Sequence, residues 1–220
     1  MASRPRHSDR PTVVLLVRHG RTPTTGQVLP GRAPGLHLSD EGRAQAEAVA
    51  GRIAVLADRK DRAPVAVYAS PLERTTETAR PIARALGLRV RSDHGLLECD
   101  FGSWTGGKLA DLARKPEWST VQRNPSAFRF PGGESFLEMQ TRMASALARL
   151  MDRHRGETFV AVSHADPIKA AVAQAAGTPL DLFQRLTVAP CSVSALARTG
   201  GGPFVLTVNS TESLSALAIA

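Results

Sequence analysis

The chain has 220 residues, of which 42% are hydrophobic and 22% are charged, a composition that excludes disorder as the main state. Its formal net charge is +8 at pH 7, and no apolar stretch approaches the roughly 20 residues that a membrane-spanning helix needs. This length accommodates one domain with a sizeable core. We expect a single domain over residues 12–220, preceded by a flexible basic tail over residues 1–11.

The positive charge comes almost wholly from arginine. The exceptions among the 28 basic residues are Lys60, Lys108, Lys115 and Lys169. Arginine binds phosphate and carboxylate groups through paired hydrogen bonds, although an arginine-rich, alanine-rich chain also follows from genome composition alone. The basic residues form no run, and 7 Phe, 2 Trp and 1 Tyr are few for stacking on nucleic-acid bases. The charge therefore indicates an anionic partner without identifying it, and we predict no nucleic-acid partner.

The cysteines and the N-terminus predict a reduced, cytoplasmic setting. Cys99 and Cys191 cannot form a disulfide framework and lack metal-ligand spacing, so we expect both to be packing residues. Residues 1–10 are basic but lack the apolar segment of a secretory signal. We expect no membrane partner, no metal and no cofactor, and the sequence leaves the oligomeric state open.

Strand and helix patterns alternate along the chain. Continuous apolar, β-branched runs predict buried strands, and an apolar residue at every third or fourth position predicts helices. The predicted strands cover residues 12–17, 65–69, 88–90, 157–162, 193–197 and 204–208. The predicted helices cover residues 39–57, 70–86, 108–113, 135–155 and 166–176. This alternation indicates an α/β fold whose mainly parallel sheet is flanked by helices on both faces.

Two helix starts carry a strong signal, and one segment carries little pattern. Ser70 with Glu73, and Ser135 with Glu138, each match a capping box, in which the two side chains bind free N–H groups of the first turn. Residues 99–133 hold both tryptophans, several Gly and Pro, and only a weak helix signal. We expect this cap segment, residues 99–133, to be an insert after the third strand rather than part of the core.

Basic side chains follow three of the predicted strands. Arg18 and His19 follow the first strand, Arg74 follows the second, and His164 follows the strand at 157–162. In open α/β sheets the ligand site lies beyond the carboxyl ends of the strands. These four side chains are therefore predicted to meet at one edge of the sheet.

Two arginines and two histidines suit a phosphoryl group. Arg18 and Arg74 can clamp its oxygens, and Arg74 would lie in the first turn of a helix, where free N–H groups favour an anion. A neutral imidazole such as that of His19 attacks phosphorus to form a covalent intermediate. His164, if protonated, donates to the transferring oxygens. The sequence thus predicts phosphoryl-transfer chemistry at this edge.

The leaving alcohol of such a reaction needs a general acid whose pKa is raised toward the working pH. Glu98 follows an apolar stretch, which raises a carboxyl pKa, and Asp100 competes with it by position. A metal site at His94, Cys99 and Asp100 is disfavoured, because their spacing matches no ligand pattern. The residues alone favour Glu98 but leave Asp100 as an alternative.

Five segments in order resemble those of the histidine phosphatase superfamily, the phosphoglycerate-mutase-like proteins. They are VRHGRT, SPLERTTETA, LLECDFGSWTG, PGGES and VSHADPIKA, and they span about residues 12–175. The resemblance implies a metal-independent mechanism with a phosphohistidine at His19 and Glu98 as proton donor. It also implies a phosphate pocket completed by Arg18, Arg74 and His164, and a cap that places Phe101 and Trp104 toward the substrate.

Several positions depart from the family pattern, which often reads R-H-G-[EQ]-T-x-x-N. Arg21 replaces the acidic or amide residue, and Thr25 replaces the asparagine while keeping a hydroxyl that can contact phosphate. The later stretch around Arg32 lacks the family's aspartate, and Ala165 replaces a common glycine. Arg21 and Arg32 either add positive charge at the mouth of the pocket or are solvated, and both interpretations stay open.

The leading interpretation is a metal-independent phosphatase that acts on a small phosphorylated metabolite. A phosphoglycerate mutase is the nearest alternative, since a phosphohistidine can return its phosphoryl group to the same substrate. The chain between Glu98 and the PGGES segment is short for the insert that mutases carry. A non-catalytic module that binds a phospholigand or nucleic acid is a third alternative, supported only by the charge.

Overall fold

The protein is built on one six-stranded sheet, seen in a computed structural model that describes residues 10–59, 62–214 and 217. Its strands are β1 (Thr12–Arg18), β2 (Pro64–Ala69), β3 (Val90–Ser92), β4 (Thr158–Ser163), β5 (Val193–Thr199) and β6 (Gly202–Ser210). They lie in the order β3-β2-β4-β1-β5-β6. The four strands β1 to β4 are parallel, and β5 and β6 extend the sheet antiparallel. The predicted α/β class with a mainly parallel sheet is confirmed.

Helices cover both faces of this sheet. The helices are α1 (Asp40–Ala54), α2 (Glu73–Ala85), α3 (Leu109–Leu112), α4 (Trp118–Arg123), α5 (Phe136–Arg153) and α6 (Ala165–Ala175). Leu15 of β1 packs in a core with α1 and α2, whereas its neighbour Leu16 packs in a second core with α5 and α6, because successive strand residues point to opposite faces. Within the described part of the chain, no helix combines the length and apolarity needed to cross a membrane.

Helix α1 is shorter than predicted. The apolar periodicity extended it to Ala57, but it ends at Ala54, and Leu56 rather than Ala57 enters the core. Ser39 caps its start by accepting a hydrogen bond from the amide of Gly42. The predicted tail over residues 1–11 lies largely outside the described residues.

One predicted capping box is confirmed and the other is wrong. Ser135 and Glu138 form both hydrogen bonds of a capping box at the start of α5. Helix α2 begins at Glu73 after Leu72, with no side-chain cap. The reason is that Ser70 still belongs to the edge of the sheet, where its backbone amide donates to the carbonyl of Val162 at 3.0 Å.

The cap segment, residues 99–133, contains α3 and α4 and packs in a third apolar core that it shares with α5 and α6. Phe101 and Phe130 meet edge to face with ring centroids 4.8 Å apart, and Phe130 contacts Phe136 of α5 at 5.2 Å. Such aromatic pairs add to the burial of apolar area. The cap is thereby fixed onto α5, directly over the carboxyl edge of the sheet.

Gly102 is a backbone position at the base of the cap that only glycine fits. Its φ is +50°, and a Cβ there would lie 2.2 Å from the carbonyl oxygen of Pro131. We expect Gly102→Ala to lower the free energy of unfolding by roughly 2–4 kcal/mol, from backbone strain plus the clash. Gly106 also has a positive φ, at +82°, but a Cβ there would meet nothing within 4 Å.

Gly106→Ala is therefore the matched control, with an expected cost of about 1 kcal/mol from its φ alone. Denaturant unfolding of both variants measures the difference. Equal losses for Gly102→Ala and Gly106→Ala would contradict the proposed clash at the base of the cap.

Candidate active site

A cavity of about 310 Å³ opens where β1 ends, between the edge of the sheet and the cap segment. Arg18, His19 and Glu98 form its polar base. Its other walls come from the loop after β1, the cap, α6 and a 3-10 turn at Leu180–Arg185. This is the position that the strand-end rule predicts for a ligand site.

His19 is held in one tautomer. Its backbone amide donates to the carbonyl of Ser163 at 3.0 Å, and its Nδ1 lies 2.7 Å from the carbonyl oxygen of Gly20. A carbonyl only accepts, so Nδ1 carries the hydrogen and Nε2 keeps its lone pair. Burial, with the positive charges of Arg74 and Arg18, lowers the pKa of His19 well below its usual range. The neutral ring is thereby favoured, with its lone pair on Nε2, which is the state that nucleophilic attack by an imidazole requires.

Arg74 is the largest fully buried side chain of the protein's described residues. Its Nη2 donates to the carbonyl of Gly31 at 2.8 Å, but its Nε and Nη1 have no hydrogen-bond partner among the described residues. A buried guanidinium with unpaired N–H groups is costly unless an anion compensates it. Arg74 acts electrostatically on both His19 and His164, so the compensating anion would lie beside the two imidazoles.

Arg18, at the end of β1, likewise makes one hydrogen bond to a backbone carbonyl and keeps a buried N–H group without a partner among the described residues. Its Nη1 donates to the carbonyl of Val188 at 2.7 Å, and its buried Nε lacks a partner among the described side chains and backbone groups. One fixed bond per guanidinium orients Arg18 and Arg74, and the remaining N–H groups stay available. Two arginines oriented in this way have the geometry that a clamp on an anion's oxygens requires.

His164 follows β4 and is fully buried. Its ring lies edge-on to that of His19, with centroids 5.2 Å apart. Burial, followed by the charge of Arg74 and the neighbouring His19, lowers the pKa of His164 well below its usual range. The sequence interpretation made its donation depend on protonation; the lowered pKa instead favours the neutral ring, which donates through one N–H only.

Glu98 lies on the cavity wall, and Asp100 does not. The Glu98 carboxylate is buried and accepts a hydrogen bond from the amide of Cys99 at 3.0 Å. Burial, and then the negative charge of Asp166, raise the pKa of Glu98 to about 7, against the opposing effect of Arg74. Asp100 is 41% exposed in its side chain and accepts from the amide of Gly102. Of these two carboxylates, only Glu98 therefore has the position that a general acid requires.

Thr25 lines the cavity, and its hydroxyl accepts a hydrogen bond from the amide of Thr22 at 2.8 Å. This contact fixes the loop after β1. The hydroxyl can still donate toward a ligand, because it has one hydrogen and two lone pairs. The predicted contact of Thr25 with phosphate is compatible with this position.

Of the residues predicted at the rim of the pocket, some line the cavity and others lie away from it. Phe101 lines the cavity, whereas Trp104 is buried inside the cap, and its neighbour Trp118 lines the cavity in its place. Arg21 lies away from the cavity and pairs with Glu41 at 3.3 Å. The structure therefore places neither Trp104 nor Arg21 at the rim.

Arg32 is partly buried and lies outside the cavity lining. Its Nε donates to the carbonyl of Glu98 at 2.8 Å, and its Nη2 pairs with Glu134 at 2.8 Å. Arg142 of α5 donates to the same carbonyl and also pairs with Glu134. Both arginines therefore support the backbone of Glu98.

One polar wall of the cavity was missed by the sequence reasoning. Lys169 of α6 lies 3.0 Å from Gln184 and 3.5 Å from Asp166, and all three line the cavity. Asp166 and Lys169 follow His164 on the same helix at a spacing of three, a signal that could have found them. Gln184 lies in a 3-10 turn far along the chain, where no local pattern marks it.

The described residues include no group of three or more His, Cys, Asp or Glu that could hold a metal ion. Both cysteines are free and buried. Burial raises the pKa of Cys191 to about 12 and raises that of Cys99 as well, so both thiols are protonated at neutral pH. They pack rather than react, as predicted.

The sequence model described as histidine phosphatase superfamily (branch 1) matches residues 14–211. The chain belongs to the histidine phosphatase superfamily. The predicted resemblance is confirmed, and the match extends beyond the five motif segments to both antiparallel strands.

Similar proteins include several with named activities. The chain is 32% identical over 175 residues to phosphoserine phosphatase 1 of Hydrogenobacter thermophilus, covering 77% of this chain and 79% of that protein. It superposes with a TM-score of 0.80 at 25% identity on a mycobacterial glucosyl-3-phosphoglycerate phosphatase, covering 92% of this chain and 100% of that one. A bifunctional protein of Mycobacterium tuberculosis is 36% identical over 208 residues, which are 93% of this chain but 55% of that protein. The chain thus spans about half the length of that relative.

Proposed function

We propose that this protein hydrolyses a small phosphomonoester through a phosphohistidine at Nε2 of His19. One observation carries the proposal: buried N–H groups of Arg74 and Arg18 lack partners among the described residues, beside an imidazole whose lone pair is at Nε2 and whose pKa is lowered. The three phosphoryl oxygens would satisfy those N–H groups. Clamping by both arginines stabilises the charge that the oxygens carry during transfer.

In the first step, the Nε2 lone pair forms a bond to phosphorus while the bond from phosphorus to the ester oxygen breaks. Glu98 gives its proton to that oxygen, so the alcohol leaves neutral. The raised pKa of Glu98, about 7, keeps a large fraction of it protonated at neutral pH. In the second step, the Glu98 carboxylate takes a proton from water, the water oxygen bonds to phosphorus, and His19 is released as a neutral ring.

Product analysis separates this function from the two alternatives. With 3-phosphoglycerate, a phosphatase releases inorganic phosphate, whereas a mutase yields the isomeric phosphoglycerate. A panel of phosphoserine, sugar phosphates, phosphoglycerates and nucleotides, assayed for phosphate release, tests the proposal broadly. Isomer without free phosphate would support the mutase, and salt-sensitive nucleic-acid binding without any hydrolysis would support the binding module.

The leaving alcohol would lie between an apolar and a polar wall. Leu29 and Trp118 contribute to the apolar side, and Asp166, Lys169 and Gln184 form the polar side. Lys169 bonds the side-chain oxygen of Gln184, which directs the amide hydrogens of Gln184 elsewhere. Lys169, which pairs with the carboxylate of Asp166 at 3.5 Å, and the amide of Gln184 are the donors of this wall, and we propose that they bind a carboxylate or another acceptor group of the leaving alcohol.

We expect Lys169→Gln to raise KM for phosphoserine or 3-phosphoglycerate roughly tenfold, because a charge-assisted hydrogen bond is worth about 1.5–3 kcal/mol. KM for p-nitrophenyl phosphate, which lacks a carboxylate, should change little. Lys115→Gln is the matched control, since Lys115 is exposed on the cap and absent from the cavity lining. Equal changes in KM for both kinds of substrate would contradict this assignment of the polar wall.

A further inference from the structure

Ser70 occupies a fully buried position between β2 and α2 that no capping role explains. Its hydroxyl oxygen lies 2.9 Å from Nε2 of His164. The backbone on either side is fixed, because its amide donates to Val162 of β4 and its carbonyl accepts from the hydroxyl of Thr75 at 2.8 Å. The hydroxyl is thus held against the imidazole by the main chain of the sheet edge.

The direction of the hydrogen bond between Ser70 and His164 follows from what each arrangement leaves unbonded. If Nε2 carried the hydrogen, the buried hydroxyl hydrogen of Ser70 would need another acceptor, and the structure shows no other bond of that hydroxyl among the described residues. If the hydroxyl donates to Nε2, the unbonded hydrogen is instead on Nδ1 of the ring, where it faces a carboxylate oxygen of Glu98 4.0 Å away. Only the second arrangement directs the remaining hydrogen toward an acceptor, so we assign the hydroxyl of Ser70 as the donor.

This arrangement determines what the other ring nitrogen of His164 can do. With Nε2 as acceptor, the neutral ring carries its hydrogen on Nδ1. Nδ1 is buried without a partner in the described part of the chain, and it lies 4.0 Å from a carboxylate oxygen of Glu98. It therefore offers one more N–H to the place where Arg74 and Arg18 also have unpaired N–H groups.

We propose that Ser70 is a positioning residue that fixes His164 as the Nδ1–H tautomer, so that this ring donates to a phosphoryl oxygen. The inference rests on the proposed function for the role of that donation, but the tautomer itself does not. The two imidazoles then have complementary states. His19 is held by Gly20 with its lone pair on Nε2, and His164 is held by Ser70 with its hydrogen on Nδ1.

Ser70→Ala removes the hydroxyl and leaves Nε2 of His164 without its partner. We expect kcat to fall roughly 10–100-fold, the usual effect of removing a group that orients a catalytic ring, with KM changed much less. Ser194→Ala is the matched control. Ser194 of β5 is also fully buried, and its hydroxyl accepts a hydrogen bond from the amide of Asn209, away from the cavity lining.

The test is ¹⁵N NMR of the imidazoles in the full-length protein, with His164 assigned by its absence from the spectrum of His164→Gln. The wild-type protein and Ser194→Ala should both show protonated Nδ1 and unprotonated Nε2 at His164, and Ser70→Ala should show the other tautomer or a mixture. A hydrogen on Nε2 in the wild-type protein would overturn the proposal. So would an unchanged tautomer, or an unchanged kcat relative to Ser194→Ala, in Ser70→Ala.

The NMR measurement needs no turnover, so it separates this inference from the proposed function. A protein that hydrolyses no phosphoester but shows the Nδ1–H tautomer would refute the phosphatase and retain the positioning by Ser70. A protein that hydrolyses phosphoesters with the opposite tautomer would refute the positioning alone.

Discussion

His19→Ala should reduce kcat for phosphomonoester hydrolysis by about 10⁴-fold or more, as removal of a covalent nucleophile does in other enzymes. The reason is that no other group in the cavity can replace it. The second imidazole, that of His164, is fully buried and already bonds Ser70, and both thiols have pKa values raised by burial. Steady-state phosphate release on the best substrate of the panel measures the loss.

The control for this substitution is His94→Ala, which removes an exposed imidazole from a 3-10 turn outside the cavity. It should keep wild-type kcat. Binding of vanadate or phosphate should survive in His19→Ala, because Arg18 and Arg74 remain in place. If His19→Ala kept more than about a hundredth of the wild-type kcat, the covalent mechanism would be wrong.

Glu98→Gln should lower kcat/KM by roughly 10²–10⁴-fold for alkyl phosphates, the usual contribution of a general acid. Gln has nearly the same shape but cannot transfer a proton to the leaving oxygen. A phenolic leaving group departs as a stable anion and needs less protonation. The loss should therefore be smaller with p-nitrophenyl phosphate, a contrast that a purely structural defect would not produce.

The same residue sets the expected pH dependence. The acid is active when protonated, so kcat/KM should fall as pH rises through the raised pKa of Glu98, about 7 in the free enzyme. In Glu98→Gln this alkaline decline should disappear. The neutral state of His19 is retained well below that pH, because burial and Arg74 lower its pKa.

Asp100→Asn serves as the control for Glu98→Gln, since Asp100 lies off the cavity wall and caps the amide of Gly102. It should preserve both the rate and the alkaline decline. A profile that kept its decline in Glu98→Gln, or lost it in Asp100→Asn, would place the acid elsewhere.

The sequence predicted the base of the site because that part depends on topology. Parallel strands bring their carboxyl ends to one edge of the sheet. The residues directly after β1 and β4 therefore lie close together, independently of how the rest of the chain folds. Arg18, His19 and His164 were found in this way, and the mainly parallel sheet followed from the alternation of patterns. The choice between Glu98 and Asp100 depended instead on burial, which two neighbouring carboxylates in an irregular segment do not reveal locally.

The residues that sequence reasoning misplaced are governed by tertiary contacts. Ser70 carried a local capping signal, but its bond to His164 forms between residues 94 positions apart. Arg32 was predicted to lie either at the rim of the pocket or in solvent, but it donates a hydrogen bond to the carbonyl of Glu98, a residue 66 positions away in the sequence. Trp104 was expected to face the substrate because it is an aromatic residue of the cap. Its large apolar surface is instead buried in the core beneath the cap, where burial is more favourable.

The most direct test of the account is the chemical identity of the phosphorylated enzyme. Rapid quenching during turnover, followed by ³¹P NMR and peptide mapping, should find an acid-labile phosphoryl group on Nε2 of His19, because Nδ1 is bonded to the carbonyl of Gly20. The phosphoenzyme should form and decay at rates that match kcat. A phosphoryl group on another residue or on Nδ1, or turnover with no phosphoenzyme, would contradict the central claim.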